Sequence, residues 1–569
     1  MKVLMRYIVP YIKRTFVGVT AKSLGTITEL LLPMIMAYII DELLPVQEIA
    51  GIYKYGALML IVALLTVGLN VLANCIGSNV SQMFGRDLRN DIFNHVQSFS
   101  FKQIDEKTTP SLITRLSSDV NNIQGIILQM LRIAIRAPIL YIGGIVMAIR
   151  LDWSLALILV LLSPVFVLIV MYSAKLTVPL YRKLQGAYDK LTLILREDLN
   201  GIKVIRSLST EKTESRHFEK SSEDVRDIDI EAGRLVSVIN PSMTIIMDIG
   251  LVVCILISGF RINSGSMKVG EIIAFASYYS MILNALLAIT RIFMGYTKAA
   301  ASAVRVNDLF DTSDDMEHKE KSPVSFPNAP FIEFRNVTFT YPTATNPTIK
   351  NLSFAIEDKS SFAIIGGTGS GKSTLLALLL RFYDIDSGQI LIEGHDIREY
   401  ALDELRELYS VIFQQSHLFS GSIIDNIRWG DMDAPLEKVQ RAAKLAMADG
   451  FVEQMSEKYD SPVLQSGRNF SGGQRQRLSI ARAMNKDARA LILDDSTSSL
   501  DFLTEKKLRL NIRESFADSC VIIIAQRISS VMHCDKILVL DNGKSAGYGT
   551  HDELLNDCAL YNEIYTSQI

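Results

Sequence analysis

The sequence is most informative where it lacks charge. Over Tyr55–Gly85, 31 residues pass without an Asp, Glu, Lys or Arg, and Trp153–Ala174 adds 22 more. No basic excess points to nucleic acid, because 58 Lys and Arg face 61 Asp and Glu for a net charge of −3. With 33 glycines and 15 prolines in 569 residues, collagen-like and low-complexity chains are excluded. Five cysteines (Cys75, Cys254, Cys520, Cys534, Cys558) form neither a metal-ligand spacing nor a disulfide framework. They read as reduced, packed thiols of a cytosol-facing protein. The length allows roughly three or four domain equivalents.

Other windows join these two. Ser23–Ile40 holds only Glu29, Leu235–Phe260 only Asp248, Ile272–Thr290 no charge, and Ala137–Ile149 lies between Arg136 and Arg150. A helix needs about 20 mostly apolar residues to cross a bilayer. The expected spans are 16–41, 54–78, 133–150, 153–175, 235–261 and 271–294. The third counts as a span if its flanking arginines snorkel to the interface. Basic residues populate the loops 79–132 and 176–234 and the N-terminus, whereas Asp41–Tyr53 has none. The positive-inside tendency then places both termini, both long loops and the C-terminal half in the cytoplasm of a multi-pass cell-membrane protein. Met1–Arg14 reads as an interfacial amphipathic helix rather than a cleaved signal. The long loops show helical periodicity, with Arg115 and Asp119 one turn apart as an i,i+4 pair. Glu29 and Asp248, acids within spans, are open to two readings: attraction of a cationic solute, or helix packing. Residues 311–330, with seven charges and three prolines, read as a linker between a membrane domain (1–310) and a soluble domain (331–569).

The soluble domain alternates apolar runs with turn signals, the pattern of an α/β fold. Ser361–Ile365 is a strand candidate leading into Gly366, Gly367, Thr368, Gly369, Ser370, Gly371, Lys372, Ser373 and Thr374, which match the phosphate loop G-x-x-x-x-G-K-[ST]. Such glycines let backbone N–H groups surround phosphate oxygens at a helix N-terminus. Lys372 is expected on the β- and γ-phosphates of ATP and Ser373 on Mg²⁺. Downstream, Ala490–Asp494 is an apolar strand ending in an acid placed to hold Mg²⁺.

Phe470-Ser471-Gly472-Gly473-Gln474 resembles the LSGGQ signature of ABC transporter ATPases. Gln414 matches that family's Q-loop glutamine, which the resemblance places near the metal. Ser499-Leu500-Asp501 matches its D-loop, and Tyr341 the aromatic that stacks on adenine. Ser111–Asp119 and Gly201–Ile205 resemble cytoplasmic-loop motifs of the exporter branch. The resemblance implies a six-span helical transmembrane domain fused to a P-loop ATPase domain. It also implies head-to-tail dimers, in which Ser471 and the glycines after it complete the partner's ATP site.

Two departures bear on catalysis. The family's catalytic Glu is replaced by Asp495, one methylene shorter, and its switch His by Gln526, which cannot take up a proton. Together they resemble the degenerate half of a heterodimeric exporter, which binds ATP and hydrolyses it poorly. The expected partners are a second ABC half-transporter, the lipid bilayer and a small amphipathic substrate, with no nucleic acid. A homodimer with two slow sites and an ATP-gated channel or regulatory subunit are the competing readings.

Overall fold

A computed structural model describes residues 6–568, apart from 264, 266, 313–315, 317–318, 320, 324–325, 327–328 and 496–499. Some helical side chains within 158–174, 236–247 and 290–294, and that of residue 502, also fall outside the description. Much of the expected linker lies outside the described residues. The chain forms two compact units, Met1–Gln97 with Pro110–Thr312 and Ser98–Thr109 with Ser313–Ile569.

The first unit is all helical: α1 (Ile12–Tyr38), α2 (Ile49–Gln97), a run α3 (Thr109–Leu151), α4 (Trp153–Asn200), α5 (Glu211–Asn263) and α6 (Val269–Phe310). Among the described residues, four stretches are long and apolar enough to cross a membrane: Val9–Leu43, Ile49–Gln97, Thr109–Leu151 and Val269–Ile289. The windows expected at 153–175 and 235–261 lie within the unbroken helices α4 and α5. Asp152 alone separates α3 from α4 and makes the sharp turn between them possible. One carboxylate oxygen accepts from Ser154 N (2.7 Å) and Leu155 N (3.0 Å), capping α4, and the other receives the Arg261 guanidinium. Buried Tyr278 of α6 donates its hydroxyl to Leu30 O of α1 at 2.7 Å, so the phenol is satisfied inside the bundle.

The expected Arg115–Asp119 pair does not form. Residues Arg115–Asp119 adopt a π-helical turn, and both side chains reach α6 instead. Arg115 meets Asp308 at 3.2 Å, and Arg305 binds Asp119 through two nitrogens, one at 2.9 Å. The widened turn changes the angular spacing on which i,i+4 pairing depends, and a bidentate guanidinium outcompetes a local surface pair.

The second unit takes in the helix Phe101–Lys107, which departs from a boundary drawn at residue 310. Phe101 stacks on Phe382 at 4.1 Å, and Tyr383 donates its hydroxyl to Asp105 at 2.6 Å. Ser100 and Gln103 close a capping box at its start. Beyond the linker come β1 (Ile332–Phe339), β2 (Ile349–Ile356), β3 (Ser361–Gly366), α7 (Lys372–Leu379), β4 (Ser387–Ile392) and β5 (Tyr409–Ile412). They are followed by α8 (Gly472–Met484), β6 (Ala490–Asp494), β7 (Cys520–Ala525), β8 (Lys536–Asp541), β9 (Lys544–Gly549) and α9 (Ala559–Gln568). An antiparallel sheet runs β2-β1-β4 and ends in the short strand His395–Asp396, while the main sheet runs β9-β8-β3-β7-β6-β5. Five of its six strands are parallel, with β9 an antiparallel edge. Near-continuous apolar β3 and β7 lie buried inside it, as expected of a sheet covered on both faces.

Asp119 is almost wholly buried while Asp308 is half exposed. Removing the partner of a buried charge leaves it uncompensated. Arg305→Met is expected to destabilise the membrane unit by about 3 kcal/mol and Asp308→Asn by under about 1 kcal/mol, read from thermal unfolding in detergent.

Candidate functional site

Parallel register brings the sequence motifs together. Ile365 of β3 lies opposite Ala525 of β7, Ile524 opposite Asp494, and Leu493 of β6 opposite Ile412 of β5. The phosphate loop, Gln526, Asp494–Asp495 and Gln414 thus all emerge at the carboxyl edge of adjacent strands, where open α/β sheets bind ligands.

At the first of these, β3 ends in Gly366, where a Cβ would stand 2.2 Å from Leu540 O; only glycine fits. Gly371 has φ +107° and precedes α7 directly, so the chain turns into the helix through a conformation other residues avoid. Gly543 N donates to Ser370 O at 3.0 Å, bracing the loop from the β8–β9 turn. Gly367, Thr368 and Gly369 are exposed, and Ser373 lies exposed on the first turn of α7. The Ser370 hydroxyl is buried with no partner among the described residues. Lys372 is buried, and its ammonium donates to Gly366 O (2.9 Å) and Gly367 O (2.8 Å) across the loop. Burial pushes its pKa down, against the opposing pull of Asp495 and Asp494. An orphan hydroxyl, a desolvated cation and a glycine loop at a helix N-terminus fit a polyphosphate.

Tyr341 donates its hydroxyl to Thr374 Oγ1 (3.2 Å) and meets Tyr383 edge to face at 5.2 Å. It therefore flanks α7, as an adenine platform must. Thr374 is buried and takes this bond rather than facing solvent.

Asp494 is buried at the end of β6, and burial, with Asp495 beside it, pushes its carboxyl up to about 6 despite Lys372. Asp495 has φ +43°, donates its N–H to Ile524 O at 2.8 Å, and is raised by burial against the charges of Arg527 and Lys372. Mg²⁺ fits this surrounding: Asp494, the Ser373 hydroxyl and exposed Gln414 would hold it. Among the described residues no three His, Cys, Asp or Glu converge. Mg²⁺ commonly keeps water and phosphate ligands beside one or two protein groups, and here it would supply charge neutralisation.

Ser471 caps α8: its hydroxyl accepts from Gln474 N (3.3 Å), and Gln474 Oε1 accepts from Ser471 N (2.9 Å). Ser471 and Gly472 are exposed, Gly473 is half-buried, and nothing lies within 4 Å of a Cβ placed on Gly472. Asp501, expected at the nucleotide, caps the next helix by accepting from Thr504 N (3.0 Å) and its hydroxyl (2.7 Å). Those bonds hold its pKa down. Ser499 of the same motif lies outside the described residues.

Sequence reasoning missed Gln568. This α9 residue donates Nε2 to Gln526 O (2.9 Å) and accepts from Ile528 N at Oε1 (2.8 Å), pinning the backbone of the loop that carries Gln526. A polar residue in a short terminal helix carries no signal for such a role.

The family model for the ABC transporter transmembrane region matches residues 15–286, and that for the ABC transporter matches 349–498. YfiB of Bacillus subtilis, described as an uncharacterized ABC transporter ATP-binding protein, is 34% identical, the match covering 95% of this chain and 94% of YfiB. The ATP-dependent lipid A-core flippase of Photobacterium profundum is 31% identical, with 88% and 87% covered. The solved structure of a bacterial Atm1-family ABC exporter with ATP bound shares the fold, at a TM-score of 0.79 and 24% identity over 100% of this chain and 99% of its own.

Asp494 supplies a pH test. Its folded pKa, about 6, stands above the ordinary carboxylate value of 3.8, so its charged form weakens the fold. Its contribution to stability therefore falls as pH rises through that interval and is flat above it. Asp494→Asn should stabilise the nucleotide-free chain by up to about 3 kcal/mol at pH 7.5 and by little near pH 4, measured by thermal unfolding with chelator present. Mg²⁺-dependent nucleotide binding by the unaltered chain should fade as pH drops below about 6.

Proposed function

The chain belongs to the ABC transporter family, with an ABC transmembrane region fused to an ABC ATP-binding domain, and from that premise we propose a specific role. It is one half of an exporter that moves an amphipathic solute outward across the cell membrane by alternating access, its ATPase domain and termini cytoplasmic. It binds ATP at a hydrolysis-impaired site of its own and lends its signature motif to the competent site of a second half-transporter. The observation that carries this reading is that Asp495 and Gln526 follow the ends of the neighbouring strands β6 and β7, beside a phosphate loop braced by Lys372.

The residues divide the work as follows. Lys372 is held in the loop by two carbonyls that phosphate oxygens can replace, so binding exchanges neutral acceptors for charged ones. Tyr341 offers a flat face for the base. Asp494, Ser373 and Gln414 would hold Mg²⁺, which would neutralise phosphate charge. Asp495 has a carboxylate one methylene short of the family's glutamate, and a displacement of about 1 Å can cost about 10²-fold in rate. Gln526 can donate a hydrogen bond to a phosphate oxygen but cannot shuttle a proton.

The bilayer is supported by the four long apolar stretches, and a partner chain and an amphipathic solute are supported separately. Apolar Ile202, Val204 and Leu208 stand exposed at the turn between α4 and α5, uncovered by this chain. A relative named as a lipid A-core flippase supports an amphiphile.

Purified alone, the chain is expected to show little ATPase activity, which its partner half restores; vigorous turnover by a homodimer contradicts the proposal. Lys372→Ala should weaken nucleotide binding here yet leave nucleotide on the partner's loop, as measured by photolabelling of each subunit. Gly472→Glu faces open space in this chain, so folding should survive, while turnover by the complex falls about 10²–10³-fold. Asp495→Asn should leave most turnover intact. The reverse ranking of these two variants would place hydrolysis on this chain's own loop.

A further inference from the structure

Lys22 and Arg132 share a partner, Asn74, where the first three membrane helices approach each other, and Arg136 with its partner Glu29 stands one turn further along α3 from Arg132. Lys22 of α1 is only 5% exposed, yet among the described residues no carboxylate pairs with it: its ammonium donates to Asn70 Oδ1 (2.8 Å) and Asn74 Oδ1 (3.3 Å) of α2. Arg132 donates Nη2 to Asn74 O (3.2 Å), and its Nε is buried without a partner among the described residues. Arg136 grips Glu29 through Nη2 (2.7 Å) and Nε (3.3 Å). Three cations stand against one carboxylate in this group, an excess of two positive charges.

Depth makes this excess costly. At about 1.5 Å per residue, Lys22 lies about 9 Å inside the expected first span, Asn74 about 6 Å inside the end of the second, and Arg132 at the start of the third. All three sit at the end of the spans assigned to the cytoplasm, at the boundary of head groups and acyl chains. An uncompensated cation there is disfavoured unless an anion joins it. Arg132 also lies on a π-helical turn, Met130–Ala134, a widening that often marks functional sites in helices. Glu29 is already matched by Arg136, which removes it as an attractant for cationic solutes.

We propose that Lys22, Arg132 and Arg136 form a seat for the anionic head group, a phosphate or carboxylate, of an amphiphile drawn from the inner leaflet, with Asn70 and Asn74 holding the lysine and Glu29 tempering the charge. Guanidinium forks match such oxyanions in two-point geometry. The apolar tail remains against the lipid-facing helix surfaces. As a seat for the transported molecule it rests on the export reading above.

The test uses the full-length chain with the subunit it assembles with, in phosphatidylcholine nanodiscs. Short-chain phosphatidylglycerol, short-chain phosphatidylcholine and inorganic phosphate are titrated, with bound lipid read by native mass spectrometry and ATPase activity read in parallel. Phosphatidylglycerol should be retained and should stimulate hydrolysis at lower concentration than phosphatidylcholine. Arg132→Gln and Arg136→Gln should each weaken its retention about tenfold or more, the loss of one charge-assisted bond. Glu29→Gln, which frees Arg136, should tighten it. Response to phosphatidylcholine and basal ATPase should stay unchanged. Equal shifts for both lipids, or no strengthening in Glu29→Gln, would overturn the seat; so would inorganic phosphate competing as well as the lipid, which would mark a small-anion site. Charge-dependent lipid retention by a complex without ATPase activity upholds the seat and counts against the export reading alone.

Discussion

Backbone hydrogen bonds of the parallel ladder β5-β6-β7-β3 are the interaction on which the nucleotide site depends. Parallel strands send their carboxyl ends one way, so four segments far apart in sequence finish along one edge. Register sets what meets there: Ile524 opposite Asp494 places Gln526 beside the acids, and Ile365 opposite Ala525 places the phosphate loop next to both. A one-residue slip would turn every buried side chain of these strands to the opposite face, so core packing and site geometry are fixed together. The site's electrostatics follow from the same burial. Lys372 and Asp494 are both moved toward neutrality by desolvation, and each partly restrains the other.

In the helical unit the governing term is the cost of burying charge. Asp119, Asp152 and Glu29 each meet an arginine, Arg305, Arg261 and Arg136 respectively. These pairs join α3 to α6, the α3–α4 turn to α5, and α1 to α3, so charge compensation also fixes which helices are neighbours. Lys22 departs from this rule, since amide oxygens rather than a carboxylate receive it. Amides satisfy its hydrogens without cancelling its charge. That difference separates a structural ion pair from a group left able to attract an anion.

What could be read from the sequence was what lies contiguously in it. The phosphate loop, the strand into Asp494 and the signature each occupy one short stretch, and the long uncharged windows mark membrane helices by composition alone. Contacts set by tertiary approach were hidden. Arg115 and Asp119 looked like partners because helical spacing was assumed, and a π-turn redirected both to α6. Asp501 was read from its motif, and its capping of the next helix through Thr504 could not be seen there. Lys22 falls within the expected first span, yet its amide partners Asn70 and Asn74 lie on another helix, so residue type alone does not reveal the contact. Gln568 acts through backbone atoms of Gln526 and Ile528, and such bonds leave no trace in residue type.

The Asp495 departure also has a local physical reason. Its backbone stands at φ +43°, in the left-handed region, while its N–H is held by Ile524 O of the neighbouring strand. Aspartate is among the few side chains enriched in that conformation, because its short carboxylate can serve nearby backbone donors. A longer acid reaches further but gains less from such local bonding. Aspartate thus suits the backbone conformation at the end of β6. At the signature, by contrast, Ser471 and Gln474 complete their cap within the chain, and Gly472 keeps open space around it.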